Sequence, residues 1–379
     1  VGINVGLRVA VVGAGYWGPK HVRVLHGTEG VGEVVLVDGR PDRLQALARS
    51  YPGDRTCASL PEALPHVDAV VVATPPSTHV ALASAAMEAG KHVLVEKPLA
   101  PSVADARRLV ALADAAGVTL MVGHTFEYNP AVRKLRELIE QRELGDLFYL
   151  DSARLNLGLY QSDVNVIFDL APHDVSIINH VLGTSPVAVQ AWGARHAHPR
   201  FEDVAYLRLF YEDHGLAANI HVSWLDPGKV RRVVAVGSRR MAVYDDLAEE
   251  RIRVLDKGVD PPASAAGGST QPPMSYRYGD IVSPFLAPDE PLALQDAHFV
   301  ECASTGAVPL TDGRNGLAVV EVLEAAQLSL RLGHPVLLEE LAADSRPVYD
   351  IDAPARFVAV SVPWYRRDRS GAALIREGA

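Results

Sequence analysis

The amino-acid sequence predicts an α/β fold: a doubly wound parallel sheet followed by an α+β domain on a mostly antiparallel sheet. Three observations predict it. The first 125 residues alternate short β-branched runs with longer amphipathic stretches, a glycine-rich turn follows the first of those runs, and beyond about Phe148 strand-like runs succeed one another with turn signals between them. The parallel strands are expected at Leu7–Val12, Glu33–Asp38, Ala69–Ala73, His92–Val95 and Thr119–Val122. Helices are expected at Pro41–Ser50, Thr78–Ala89 and Val103–Ala116, where apolar residues recur at three and four. In the second part, Val204–Phe210, Leu216–Trp224, Val230–Val236, Met241–Asp245 and Arg251–Leu255 read as an antiparallel meander, with connectors at Glu212–Gly215, Asp226–Gly228, Gly237–Arg239 and Leu247–Glu250. One face of such a sheet packs on helices and the other meets solvent or a second subunit. Residues 261–273 read PPASAAGGSTQPP, a loop by composition. Gly316–Arg331 is expected as the last helix, docking near the first domain. The division is residues 1–125, 126–340 and a C-terminal extension, 341–379, with no assigned role.

Composition narrows the function classes. With 379 residues, 48% hydrophobic and 22% charged, the chain has material for two cores. A net charge of −10 argues against nucleic acid or an anionic membrane as partner, because both require a basic footprint. Two cysteines, Cys57 and Cys302, are too few for a disulfide framework and suit a reducing compartment. No apolar stretch approaches the ~18 residues of a membrane span, and Val1–Gly6 has no signal-peptide pattern. The expectation is a soluble cytoplasmic protein. No histidine spacing matches a metal motif, so no metal is expected.

The sequence Gly13-Ala14-Gly15-Tyr16-Trp17-Gly18 sits where the first strand passes into a helix. Gly13 permits the tight turn, Gly15 lets backbone approach a pyrophosphate, and Gly18 allows close helix–strand packing. The helix N-terminus adds N–H groups and a partial positive charge for phosphates. Asp38, ending the second strand, is suited to the adenosine ribose hydroxyls and would repel a 2′-phosphate, while Arg40 and Arg43 partly offset its charge. NAD is therefore expected, with NADP as the alternative. Thr74, Pro75, Pro76 and His79 lie at the carboxyl edge of the sheet beside the cofactor crevice.

Glu96-Lys97-Pro98 ends an apolar strand at that same edge, which directs Lys97 to the nicotinamide region, where an ammonium can hold a developing alkoxide. Asp169 is expected as the N-cap of a helix that tolerates Pro172 in its first turn. His173 then lies one turn on, near the positive end of the helix dipole, which favours neutral imidazole. Contact with Asp169 would select its tautomer.

With these motifs in order, residues 7 to 340 resemble the Gfo/Idh/MocA family of NAD(P)-dependent oxidoreductases. The resemblance extends to GDLFYL after the first domain and to the PLTDGRNGLAVVEVLEAAQLS stretch. It implies a Rossmann domain, a second domain with a large open sheet used for homodimers or homotetramers, and hydride transfer at a sugar or cyclitol carbon. Lys97 matches the family's EKP lysine. Asp169 and His173 match its Asp-x-Gly-x-x-His acid/base motif in looser form, with Ala171 where glycine is usual. GHTFEYNP, DLAPHD and SWLDPGKVRR look like the branch acting on nucleotide-linked sugars at C-3. For such a substrate Arg154, Arg231 and Arg232 are expected to pair with the diphosphate, and Tyr128 or Tyr160 to stack on a ring. His173 would move the hydroxyl proton, Lys97 would hold the oxyanion, and Asp169 would orient the imidazole. The alternatives are a free-sugar or inositol dehydrogenase and a non-catalytic dinucleotide or sugar sensor.

Overall fold

The strand β1 (Leu7–Val12) has its last four residues buried, because both faces of the sheet it belongs to are covered. Its neighbours are β2 (Val31–Val37), β3 (Arg55–Cys57), β4 (Ala69–Val72), β5 (His92–Val95) and β6 (Leu120–Val122). All pairings are parallel, in the order β3-β2-β1-β4-β5-β6. The intervening helices are α1 (Gly18–Leu25), α2 (Pro41–Ser50), α3 (Leu60–Ala63), α4 (Pro76–Glu88) and α5 (Val103–Ala116). Ser102 caps α5 by accepting the Asp105 N–H, and Gly117 ends it at φ +64°, a conformation natural to glycine. Strand order reverses between β1 and β4, the point at which open sheets of this kind bind ligands. These coordinates are a computed structural model describing residues 6–158, 160, 164–197, 199–213, 215–260 and 274–342. The expected loop at 261–273 and the extension beyond residue 342 lie outside the described residues.

The second half begins with α6 (Pro130–Glu140), β7 (Leu147–Leu157) and α7 (Val166–Leu182). The strands β8 (Ala188–Ala194), β9 (Val204–Phe210), β10 (Ala217–Ser223), β11 (Leu225–Gly237), β12 (Met241–Asp245), β13 (Ile252–Asp260) and β14 (Ser275–Val282) follow. The described chain closes with α8 (Pro291–Thr305), α9 (Gly313–Leu332), β15 (Val336–Leu337) and a 3-10 turn at Leu338–Ala342. Nine strands form one sheet in the order β14-β13-β12-β11-β7-β10-β9-β8-β15.

This sheet is not the simple meander that the sequence suggests. Strands β10 and β11 are joined through Trp224 alone, yet β7 lies between them, parallel to β10 and antiparallel to β11. The crossing is pinned where the Gly158 N–H donates to the Trp224 carbonyl at 2.8 Å over the buried Trp224 side chain. Local alternation looks the same whichever strand is the partner, so the insertion leaves no short-range trace. The expected connector Asp226–Gly228 lies inside β11 as an irregularity of register between Leu225 and Val230. There Asp226 Oδ1 accepts the Gly228 N–H.

Helices α7 and α9 pack on the sheet. Helix α9 also ties the two halves together, because Glu324 accepts the Val103 N–H at 2.6 Å at the start of α5 and Glu321 pairs with Arg107. The other face of the sheet carries exposed aromatics, including Trp192 (52% exposed) and Tyr206 (48%), the latter stacked on His221. No described helix is long and apolar enough to cross a membrane.

Candidate active site

At the reversal of strand order, the glycine turn leaves β1 for α1. A Cβ on Gly13, at φ +105°, would stand 2.6 Å from the Ala73 carbonyl oxygen, and one on Gly18 would stand 1.8 Å from that of Gly13. Glycine is therefore required at both. A Cβ on Gly15 would meet nothing within 4 Å, so the backbone there faces open space beside the α1 N-terminus, the shape a pyrophosphate requires. Asp38 directly follows β2, with Oδ2 accepting the Ala14 N–H at 2.6 Å and Oδ1 accepting that of Arg40. It thus braces the glycine turn at the place where a ribose would sit. Arg40 pairs with Asp42 at the surface, and Arg43 is exposed on α2.

Thr74 and Pro75 form the turn after β4, and the Thr78 hydroxyl donates to Thr74 Oγ1 and the Pro75 carbonyl. Pro76 opens α4. His79, expected to face the cofactor, is instead fully buried, its ring nitrogens 2.8 Å and 2.9 Å from the Pro98 and Thr74 carbonyl oxygens. It staples the turns after β4 and β5, and burial pushes its pKa down.

Lys97 follows the end of β5. Its ammonium donates to the Asp169 carbonyl at 2.7 Å and stands 3.6 Å from Asp169 Oδ1. Asp169 is not the helix cap: α7 starts three residues earlier, capped by Asn165, whose Oδ1 accepts the Phe168 N–H, and Pro172 lies inside the helix. The other Asp169 oxygen accepts the Trp224 indole N–H at 2.9 Å. The expected contact with His173 is consequently absent. Although the two residues share a helix face, the carboxylate is drawn to Lys97 and Trp224. His173 is half-buried, edge-on against Phe126, and its buried Nδ1 has no hydrogen-bond partner among the described residues. Burial first, then the charges of Lys97 and Arg154, hold its pKa well below the ordinary value, so the ring is neutral near pH 7.

Arg154 and Arg231 face each other across β7 and β11. Arg154 is buried and already paired, Nε to Asp174 Oδ2 at 2.7 Å, with Ser152 donating to the same carboxylate and Phe126 beneath the guanidinium. It is therefore a wall of the site and not an uncommitted diphosphate ligand. Removing one partner of such a pair strands a buried charge, and Asp174→Ala is expected to cost about 3–5 kcal/mol. Urea denaturation measures this, and a loss under about 1 kcal/mol would show the pair to be dispensable. Arg231 is half-buried and pairs with Asp246 at 3.4 Å, whereas Arg232, next along the strand, is exposed. Tyr128 does not reach a sugar: it is 1% exposed, its hydroxyl against Thr311 and its ring against His298. Tyr160 packs on Trp224, with ring centroids 5.2 Å apart.

Together Lys97, Asp169, His173, Arg154 and Arg231 line one cleft of about 630 Å³, with the glycine-turn residues Tyr16 and Trp17 at its edge. The Lys20 ammonium lies over both of these rings, 3.5 Å and 4.2 Å from their centroids. Lys229 and Arg251 also line the cleft, and neither is joined to a carboxylate among the described residues. Lys20 and Arg251 belong to no motif, and Phe126 and Lys229, although inside GHTFEYNP and SWLDPGKVRR, carry no local sign that they meet at one cleft. His21, buried behind Glu96, likewise belongs to no motif.

Comparison with known proteins identifies the family of both halves. Residues 7–124 match the GFO_IDH_MocA family, described as an oxidoreductase family with an NAD-binding Rossmann fold. Residues 132–243 match the GFO/IDH/MocA C-terminal domain. UDP-N-acetylglucosamine 3-dehydrogenase from Acidithiobacillus ferrooxidans is 31% identical over 243 residues, 63% of this chain and 71% of that protein. The NAD(+)-dependent scyllo-inositol 2-dehydrogenase of Bacillus subtilis is 27% identical over 347 residues, covering 88% and 96%. Among solved structures, the WlbA dehydrogenase from Bordetella pertussis in complex with NADH and UDP-GlcNAcA is 25% identical, with a TM-score of 0.71 over 88% of this chain and 98% of that one.

Proposed function

The chain belongs to the Gfo/Idh/MocA family of NAD-dependent oxidoreductases, and from that premise we propose that its substrate is a nucleotide-linked sugar, handled at a ring hydroxyl or ketone, at C-3. The observation that carries this reading is the cleft itself, which joins Lys97 and a neutral, half-buried His173 to a rim bearing Lys20, Lys229 and Arg251. A diphosphate supplies the anionic partner that those rim cations lack among the described residues. The dinucleotide supplies hydride exchange with the substrate carbon, and the remaining work falls to the chain. The glycine turn and the α1 N-terminus hold the pyrophosphate, and Asp38 disfavours a 2′-phosphate, which makes NAD the cofactor. His173 takes the hydroxyl proton in oxidation and returns it in reduction, because its ring is uncharged and within the apolar wall made by Phe126. Lys97 holds the substrate oxygen as it becomes an oxyanion. Asp169 fixes Lys97 by accepting from it while being held itself by Trp224.

The test follows the near-ultraviolet absorbance of reduced nicotinamide with a panel of UDP- and dTDP-sugars beside free hexoses and inositols. Turnover confined to the nucleotide-linked compounds supports the reading. Turnover only with free polyols would replace it with the inositol-dehydrogenase alternative that the Bacillus subtilis relative represents. A Lys229→Ala/Arg251→Ala double variant is expected to raise KM for the nucleotide-linked substrate about tenfold or more with kcat nearly unchanged, the loss of even one charge-assisted hydrogen bond being worth roughly 1.5–3 kcal/mol. An unchanged KM would remove these residues from substrate binding. We also propose that the aromatic face around Trp192 and Tyr206 pairs with a second copy of the chain, giving a dimer or tetramer by light scattering. A monomeric mass would exclude this.

A further inference from the structure

Behind the cleft wall lies a line of buried charge that the reaction above does not use. His21 of α1 is inaccessible to solvent, with Nε2 3.1 Å from Glu96 Oε1 and Nδ1 2.9 Å from Asp296 Oδ2. Glu96 directly follows β5 and lines the cleft, and its second oxygen accepts the Lys97 N–H at 3.2 Å. Asp296 comes from α8, where Gln295 donates to it and in turn accepts from the Thr125 hydroxyl in the turn after β6. Both ring nitrogens of His21 face carboxylates. A neutral ring donates to only one of them, and an imidazolium donates to both. Burial alone would lower the His21 pKa, but Asp296 and Glu96 outweigh it and raise the value to about 10. Burial would likewise raise Glu96, yet His21 and Lys97 bring it below the usual range.

Two carboxylates around one imidazolium leave a net charge of −1 in a buried place. The other titratable groups nearby do not cancel it. Lys97 directs its ammonium to Asp169, while burial lowers the pKa of both His79 and His124 and leaves them neutral. Stability does not require such a line of charge, since a packed apolar replacement commonly serves as well. Its location gives it a use. In a doubly wound sheet the ligand lies across the carboxyl ends of the strands, and Glu96 stands at that end of β5, two strands from the glycine turn. The oxidised nicotinamide ring is positively charged and the reduced ring is neutral.

We propose that Asp296, His21 and Glu96 form a buried, net-negative device that makes the site bind oxidised nicotinamide dinucleotide in preference to the reduced form. The inference rests on the dinucleotide-binding reading above. It biases the bound pair toward hydride donation, so the site favours ketone reduction. Asp296→Asn/Glu96→Gln removes both carboxylates with little change in shape, so the line loses its net negative charge whether or not His21 keeps its proton.

Isothermal titration of the full chain with NAD+, NADH and ADP-ribose tests it. In the variant, the ratio Kd(NAD+)/Kd(NADH) is expected to rise about tenfold, the effect of one charge at short range in a partly polar interior. ADP-ribose, which lacks the nicotinamide, should bind unchanged, and Asp296→Glu, which keeps the charge, should keep the wild-type ratio. Asp296→Ser/Glu96→Gln removes the same charge and should move the ratio the same way, so one folded variant of the two decides. Binding of all three ligands with a ratio within about twofold of wild type overturns the inference alone. Wild-type protein that binds neither ADP-ribose nor the dinucleotides overturns the dinucleotide reading and this inference with it.

Discussion

A Lys97→Ala enzyme is expected to lose about 10²–10³-fold in kcat, with KM nearly unchanged, the range seen when one donor to a developing oxyanion is removed. The geometry explains why the loss should fall on kcat. The ammonium has three donors, of which one is taken by the Asp169 carbonyl while the Asp169 carboxylate stands 3.6 Å off, which leaves a donor for a substrate oxygen in the cleft. That bond strengthens only as charge develops on the oxygen, so it contributes little to ground-state binding. Lys97→Arg should not restore the rate, because a planar fork cannot keep both Asp169 contacts and reach the same point. Single-turnover absorbance traces with a saturating substrate measure the effect. A fall in kcat of less than about fivefold would place Lys97 outside the chemistry.

His173→Gln is expected to reduce kcat by about 10²–10⁴-fold, the usual contribution of a general acid–base. Its signature is the pH profile of wild-type oxidation. The base works as neutral imidazole, so protonation abolishes it, and activity must fall as pH drops through its pKa. Burial, with Lys97 and Arg154 nearby, opposes the imidazolium and holds that pKa well below the ordinary value. The acid limb of kcat/KM should therefore lie below about 6.5, the unperturbed histidine value, with a plateau through neutrality. The variant should lack this limb as well as most of the rate. A wild-type limb centred above pH 7, or a variant that keeps both rate and limb, would assign the proton to another group.

Several features were legible because they depend on short stretches of chain. The runs Leu7–Val12, His92–Val95, Val204–Phe210 and Met241–Asp245 coincide with observed strands, since alternation and β-branching act over a few residues. The glycine turn was legible for a similar reason: its spacing is a steric requirement, shown by the carbonyl oxygens that a Cβ on Gly13 or Gly18 would strike. The positions of Lys97 at a strand end and His173 on a helix could also be read locally. Their partners could not. Asp169 was expected to cap a helix and hold His173, and it does neither, because Trp224, 55 positions away, and Lys97, 72 positions away, reach its oxygens first. Arg154 was expected to meet a diphosphate, but Asp174, itself on α7, already neutralises it. Tyr128 looked available for stacking, and the packing of α8 and the Thr311 segment buries it.

The order of residues along the chain thus specified the fold class, the strand-to-helix turn suited to a dinucleotide, and the identity of the residues able to hold an oxyanion and move a proton. Each follows from sterics and chemistry that a few neighbouring residues carry. Packing between distant segments alone decided that β7 separates β10 from β11, that Asp169 serves Lys97, that Arg154 is a wall, and that His21 lies between Glu96 and Asp296. The physical reason is range: a hydrogen bond or ion pair acts over about 3 Å, whichever residues the folded chain brings there, and the 275 positions between His21 and Asp296 carry no signal that they will meet.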